Sequence, residues 1–132
     1  MATISFDFDG CLFDEEDQTF ISETVSLLRK HIADGDRVII TTSRVQLWAD
    51  EAKQLVLTRL KLDIPVFSCP GNPDTSFDWN RFDRIKSDVL IAEGAIRHFD
   101  DIPDCESLDL AKSAGIEILL PTATKSFTPR IY

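Results

Sequence analysis

The sequence predicts a single α/β domain of three layers, in which a parallel sheet of about five strands is covered by helices on both faces. Short apolar or β-branched runs alternate along the chain with longer segments whose apolar residues recur at helical spacing. This order is typical of βαβ units. The chain has 132 residues, which is the size of one ordinary domain and too short for two, so we expect 1–132 to fold as a single domain.

Each predicted element has a pattern of its own. The first strand, 2–8, alternates apolar and polar residues and is followed by a glycine, whereas 37–42 is a nearly continuous β-branched run of the kind that is buried on both faces. A third strand at 64–68 has Pro65 near its start, where proline is tolerated. The remaining predicted elements are strands at 95–100 and 116–120, and helices at about 20–32, at 45–61, at 81–93 and ending at 114–115.

Three local features carry narrower predictions. The acidic run 14–17 is expected to start the first helix, because acids are favoured near a helix N-terminus. Leu47 and Trp48 are placed on the apolar, core-facing side of the second helix. The segment 69–80 is rich in turn-forming residues, and we expect a surface loop that determines substrate specificity through the aromatic side chains of Phe77 and Trp79.

Composition and charge exclude several classes of protein. No apolar run approaches the ~20 residues of a membrane span, and the N-terminus lacks the basic and apolar regions of a signal peptide. The net charge of −9 opposes non-specific binding to nucleic acid or to anionic lipid. The cysteines, Cys11, Cys69 and Cys105, are odd in number and widely spaced. They indicate reduced thiols, and hence a cytoplasmic protein. The charge and the lack of an apolar span together predict that the protein has no membrane partner.

The reactive side chains follow the predicted strands at their carboxyl ends, where open parallel sheets bind their ligands. The candidates are Asp7 and Asp9 after the first strand, Thr42, Ser43 and Arg44 at the end of the second, Lys86 on a helix, and Asp100 and Asp101 after the strand near residue 98. Carboxylates at adjacent strand ends repel one another unless a cation lies among them, and an all-oxygen ligand set suits Mg²⁺. A phosphoryl group can complete the coordination of that ion, while a lysine and a threonine bind the remaining phosphate oxygens. His98 is expected to be packed or hydrogen-bonded rather than catalytic.

In the type and order of these residues, the sequence resembles the haloacid dehalogenase superfamily of phosphohydrolases. It is similar at four motifs in order, namely Asp7-Phe8-Asp9-Gly10, Thr42 after an apolar strand, Lys86, and Asp100-Asp101. The resemblance covers nearly the whole chain and implies a HAD-like, Rossmann-like core.

The resemblance implies a catalytic role for four residues. Asp7 would be the nucleophile that forms an aspartyl-phosphate, and Asp9 would protonate the leaving group and then activate the hydrolytic water. Thr42 would hydrogen-bond the transferring phosphate. Lys86 would steady both that phosphate and Asp7.

The resemblance also implies a magnesium site. Asp7 and the backbone carbonyl of Asp9 would bind the ion. In the two-acid form of the last motif the second acid usually touches Mg²⁺, which favours Asp101 as a ligand. Asp100 would be either a further ligand or a residue that contacts the ligands without binding the ion.

The intervals between the motifs leave no room for a cap domain, so the predicted active site is open and Ser43 and Arg44 are candidates for contact with the substrate. We therefore expect a Mg²⁺-dependent phosphomonoester phosphatase that acts on a small molecule or on the end of a macromolecule. A nucleotide or nucleic-acid-end phosphatase is the first alternative, although the net charge disfavours a polynucleotide. The second is a binding or regulatory module that retains the fold without turnover. Open sites of this kind are also covered by neighbouring subunits in some relatives, so a homo-oligomer is a further alternative.

Overall fold

A computed structural model describes residues 1–71 and 84–121 of the chain. Five parallel strands form one sheet in the described residues: β1 (Thr3–Phe6), β4 (Arg37–Thr42), β5 (Val66–Ser68), β6 (Arg97–Phe99) and β7 (Glu117–Leu119). Their order across the sheet is β5-β4-β1-β6-β7. The helices are α1 (Ser22–Ala33), α2 (Gln46–Leu55), α3 (Ile85–Ala92) and α4 (Asp109–Ser113). The predicted fold class, a parallel five-stranded sheet with flanking helices, is confirmed.

The register of the strands separates the two faces of the sheet. Phe6 and Ile40 are paired neighbours in β1 and β4, and both pack in the larger core cluster with residues of α1 and α2. Side chains alternate along a strand, so Ser5 lies on the opposite face. Its paired neighbour His98 is in turn paired with Ile118, which packs against the smaller cluster formed by α3 and α4. Ser5 and His98 therefore lie beneath α3 and α4.

A two-stranded hairpin follows the first strand, and the prediction that 14–17 starts a helix is wrong. The hairpin joins β2 (Phe13–Asp14) to β3 (Thr19–Phe20), and the helix begins only at Ser22. Asp14 Oδ1 accepts hydrogen bonds from the backbone N–H groups of Glu16 (3.0 Å) and Asp17 (3.3 Å). An aspartate that bonds the backbone two or three residues ahead stabilises a turn in competition with helix, which explains the difference.

The prediction that Leu47 and Trp48 face the core is also wrong, since Trp48 is 54% exposed and Leu47 is 71% exposed. The residues of the second helix that are buried are Ala49 and Ala52, followed by Val56 in the π-helical turn Val56–Leu60. Ala49 and Ala52 let the helix lie close to the sheet, and the larger side chains of Leu47 and Trp48 lie on the solvent-facing side of the helix.

A membrane-spanning helix must be both long and apolar, and none of the helices in residues 1–71 and 84–121 meets both requirements.

Candidate active site and metal centre

The topology brings three strand ends together at the centre of the carboxyl edge. Strand β1 lies between β4 and β6, and Asp7 follows β1 directly. Thr42 ends β4 on one side of it, and Asp100 and Asp101 follow β6 on the other. The N–H of Asp7 still donates to the carbonyl of Phe99 (2.8 Å), so the sheet hydrogen bonding continues as far as the first aspartate.

Lys86 joins the two buried aspartates. Its Nζ lies 2.8 Å from Asp100 Oδ2 and 3.5 Å from Asp7 Oδ1, and all three side chains are at most 8% exposed. Burial alone would lower the pKa of Lys86, but the carboxylates of Asp7 and Asp100 outweigh it and raise that pKa well above its usual range. The ammonium is therefore charged at neutral pH.

Asp101 completes a group of three carboxylates. One oxygen each of Asp7, Asp100 and Asp101 lies within 4.8 Å of the others. Burial raises the pKa of Asp7; the Lys86 ammonium opposes that shift, and the charges of Asp100 and Asp101 add to it. Burial also raises the pKa of Asp101, with the charge of Asp100 contributing.

This group fits a divalent cation. Lys86 supplies one positive charge to three carboxylates, and all the donor atoms are oxygens, the ligands that Mg²⁺ prefers. A cation among them would favour the ionised forms of Asp7 and Asp101, which burial disfavours.

Gly10 leaves the space that Asp101 occupies. Its φ is +76°, in the left-handed region that favours glycine, and a Cβ built on it would overlap the carboxylate of Asp101. The turn that follows Asp9 and the carboxylate of Asp101 therefore depend on each other.

Asp9 does not join the three carboxylates in this conformation, because Arg44 binds both of its oxygens. Arg44 Nη2 donates to Oδ1 (2.6 Å) and Nε donates to Oδ2 (2.7 Å), in the bidentate geometry of a guanidinium with a carboxylate. The guanidinium also donates to the carbonyl of Trp48 (3.2 Å) and lies 4.9 Å from the ring centroid of Phe8. The hydrogen bonds to Asp9 raise the pKa of Arg44.

Thr42 and Ser43 differ in their surroundings. Thr42 is buried, and its Oγ1 accepts a hydrogen bond from the backbone N–H of Arg44 (3.2 Å), which fixes the start of the turn. Ser43 is exposed at the same edge. Of the predicted site residues, the structure thus groups Asp7, Lys86, Asp100 and Asp101 together and pairs Asp9 with Arg44.

A chain of buried hydrogen bonds behind Asp100 was not predicted from the sequence. His98 Nε2 lies 2.9 Å from Asp100 Oδ2, its Nδ1 lies 2.8 Å from Ser5 Oγ, and Ser5 Oγ lies 2.8 Å from Thr41 Oγ1. All four residues are 0% exposed. The expectation that His98 is packed and hydrogen-bonded is confirmed. The available signal was the polar residue two positions before each aspartate, Ser5 before Asp7 and His98 before Asp100.

The loop predicted to determine substrate specificity, 69–80, lies mostly outside the described residues. Phe77 and Trp79 are in the part that is outside them. The first residues of the loop extend the carboxyl edge: the N–H of Cys69 donates to the carbonyl of Thr42 (2.9 Å), and the carbonyl of Gly71 accepts from the N–H of Gln46 (2.7 Å). Burial raises the pKa of the Cys69 thiol to about 12, so it is protonated and a poor nucleophile.

Comparisons with known proteins identify a structural neighbour. No family model matches the sequence, and no curated protein is significantly similar to it. A solved structure described as "Structure of the Pnkp1/Rnl/Hen1 RNA repair complex" contains a chain that is similar to this one with a TM-score of 0.66 and 14% sequence identity. The similarity covers 90% of this chain and 42% of that chain, so this protein spans less than half of its neighbour's length. At this identity the comparison shows a shared fold.

Proposed function

We propose that this protein is a Mg²⁺-dependent phosphomonoester hydrolase of the haloacid dehalogenase superfamily, without a cap domain, in which Asp7 is the nucleophile. The observation that carries the proposal is the group formed by Asp7, Asp100 and Asp101 around Lys86 at the carboxyl edge of a parallel sheet. Parallel sheets bind ligands at this edge. Three of the four motifs lie at the ends of strands there, and Lys86 reaches it from α3. The chain from β1 to β4 forms a hairpin and one helix, which supports an open site.

The first chemical step uses Asp7 and Asp9. A carboxylate oxygen of Asp7 attacks phosphorus, the bond from phosphorus to the ester oxygen breaks, and the departing oxygen takes a proton from Asp9. The Lys86 ammonium, 3.5 Å from Asp7, is placed to stabilise negative charge on the phosphoryl oxygens. The hydroxyl of Thr42 would donate to another of these oxygens.

The second step hydrolyses the acyl phosphate. Water attacks phosphorus and gives a proton to Asp9, and the bond from phosphorus to the carboxylate oxygen of Asp7 breaks. Inorganic phosphate leaves, and both aspartates return to their starting states. Asp9 serves in both steps, which requires that its carboxylate leave at least one of its two hydrogen bonds to Arg44. Arg44 would then be available to contact the substrate.

A bound Mg²⁺ would neutralise phosphate charge and orient the phosphoryl group for attack. Asp7, Asp101, the carbonyl of Asp9 and an oxygen of Asp100 would hold it.

Hydrolysis of p-nitrophenyl phosphate with and without Mg²⁺ tests the proposal. Wild-type protein should hydrolyse this ester only with the metal. Asp7→Asn should abolish turnover, because an amide is neither a nucleophile nor an anionic ligand, whereas Asp34→Asn at the other edge of the sheet should not affect it. Folded wild-type protein that hydrolyses no phosphomonoester with Mg²⁺ would instead support a binding module.

A second candidate within the same chemistry is a phosphatase that acts on nucleotides or nucleic-acid ends. The structural neighbour supports it, because that chain belongs to a structure described as an RNA repair complex. The net charge of −9 opposes a long polyanionic substrate. Phosphorylated metabolites, mononucleotides and 3′- or 5′-phosphorylated oligonucleotides should be compared, and a polynucleotide substrate would show a steep dependence of binding on salt.

A further inference from the structure

The buried chain behind Asp100 connects three adjacent strands. Thr41 lies in β4, Ser5 in β1 and His98 in β6, on the face of the sheet that α3 and α4 cover. Their side chains are linked by distances of 2.8 Å, and the chain ends at Asp100 Oδ2, 2.9 Å from His98. Each polar group in this apolar layer would be costly to bury without a partner.

The donors around Asp100 set the direction of the hydrogen bonds. Asp100 Oδ2 accepts from the Lys86 ammonium (2.8 Å), and Oδ1 accepts from the backbone N–H of Ile102 (2.9 Å). A carboxylate paired with an ammonium only accepts, so His98 Nε2 is the donor. In a neutral ring Nδ1 then accepts from the hydroxyl of Ser5, and Ser5 accepts from the hydroxyl of Thr41.

This arrangement fixes the plane of the Asp100 carboxylate. Oδ2 accepts from both His98 and Lys86, at 2.9 and 2.8 Å, and Oδ1 accepts from the backbone N–H of Ile102 at 2.9 Å. The first pair of contacts positions the ammonium that reaches Asp7. The contact with Ile102 holds the turn that carries Asp101. Rotation of this one carboxylate would therefore disturb both sides of the metal centre.

We propose that His98, supported by Ser5 and Thr41, is a positioning residue of the metal centre: it locks Asp100, and through Asp100 it places Lys86 and Asp101 for binding of the divalent cation. His98 itself touches neither the ion nor the substrate. The inference rests on the proposed function for the identity of the cation.

The test is the affinity of the folded protein for metal. Binding of Mn²⁺ is measured from the loss of the free-ion electron paramagnetic resonance signal, and that of Mg²⁺ by competition. Replacing a residue that orients a metal ligand typically weakens metal affinity about 10–100-fold. We expect a loss in this range for His98→Leu. His98→Gln, which restores an N–H donor, should recover a large part of the affinity.

Ser87→Ala is the matched control for Ser5→Ala, because Ser87 is also a fully buried serine whose hydroxyl is hydrogen-bonded, to the carbonyl of Ser107 (2.6 Å) and to the backbone N–H of Ala111 (3.0 Å). Neither of these partners belongs to the group of carboxylates or to the hydrogen-bonded chain that ends at Asp100. This variant should lose stability in EDTA and keep the wild-type metal affinity.

If His98→Leu does not fold, Ser5→Ala makes the same test at the residue that is hydrogen-bonded to His98. The expected loss of metal affinity is about tenfold. Metal affinity equal to that of wild type in folded His98→Leu and Ser5→Ala would overturn the inference. So would a wild-type protein that binds neither ion. Wild-type protein that binds metal but hydrolyses no phosphomonoester would overturn the proposed function, and the affinities of the variants would still decide the role of His98.

Discussion

Replacement of Gly10 by alanine separates backbone strain from an effect on the metal centre. Gly10 has a φ of +76°, and an added Cβ would overlap the carboxylate of Asp101. Gly94 provides the matched control: its φ is +69°, and nothing lies within 4 Å of the Cβ that alanine would add there. Both substitutions force alanine into the left-handed region, but only the one at Gly10 displaces a candidate ligand.

The common effect of the two substitutions is a loss of stability. The left-handed conformation costs a residue with a Cβ about 1–2 kcal/mol. For a domain of this size that corresponds to a decrease in Tm of about 4–8 °C, at roughly 4 °C per kcal/mol. In EDTA we therefore expect similar losses for Gly10→Ala and Gly94→Ala, with some additional loss at Gly10 because Asp101 must move.

The distinguishing effect is the response to Mg²⁺. An ion present at a hundred times its dissociation constant stabilises the wild-type fold by about 2.7 kcal/mol, and a tenfold weaker site at the same concentration gives about 1.4 kcal/mol. Disturbing the orientation of a ligand typically weakens metal binding at least tenfold, and an added Cβ at Gly10 would displace Asp101. The Mg²⁺-induced rise in Tm should therefore be at most about half of the wild-type rise in Gly10→Ala, and unchanged in Gly94→Ala. Thermal unfolding of the three proteins in EDTA and in Mg²⁺ measures both effects. Equal rises in all three would refute the assignment of Asp101 to the metal centre.

Three other perturbations test the same site. Lys86→Met should lower the free energy of unfolding in EDTA by about 3–5 kcal/mol, because it leaves buried carboxylates uncompensated; saturating Mg²⁺ should reduce this loss, and an equal loss in both conditions would argue against a cation among them. Burial raises the pKa of Asp7 above 3.8, so the folded protein binds this proton more tightly than the unfolded chain does, and stability in EDTA should fall as pH rises above that value. The Mg²⁺-induced rise in Tm should grow as pH increases above that value, because the ion favours the ionised form of Asp7. A rise in Tm that is independent of pH would contradict this expectation. Arg44→Gln should lower kcat for p-nitrophenyl phosphate while metal affinity stays constant; a parallel loss of both would mean that Arg44 supports the metal centre.

The strands and their carboxyl edge were predictable because each has a strong local signal. Alternation in β1 and the β-branched run of β4 identify the centre of the sheet, and the topology of parallel sheets then places their ends side by side. Asp7, Asp100 and Asp101 meet for this reason. Lys86 joins them because α3, the element that precedes β6 in the chain, packs against the sheet.

The hairpin and the exposure of Trp48 could not be predicted in the same way. Strands of two residues contain no period, and the turn between β2 and β3 depends on a side chain, Asp14, that bonds the backbone. In α2 the contact with the sheet is made by Ala49 and Ala52, whose small side chains carry less hydrophobic signal than Trp48. The pairing of Arg44 with Asp9 depends on side-chain conformations at two separate turns, which a one-dimensional pattern does not specify.

The polar residues inside the sheet give the strongest physical argument that this edge is functional. Ser5, Thr41 and His98 occupy buried strand positions where apolar residues would form an adequate core. Replacing hydrogen-bonded partners by apolar groups of similar shape is often nearly neutral for stability, so stability alone does not require these polar residues. Such departures from apolar packing are expected where a site must be held in place. Here all three lie in one chain that ends on Asp100, and Asp100 contacts Lys86 and the turn that carries Asp101. The polar groups inside the sheet and the charged groups at its edge therefore form one continuous hydrogen-bonded network. This network ends, at the carboxyl edge of the sheet, in the group of carboxylates that we assign to the metal.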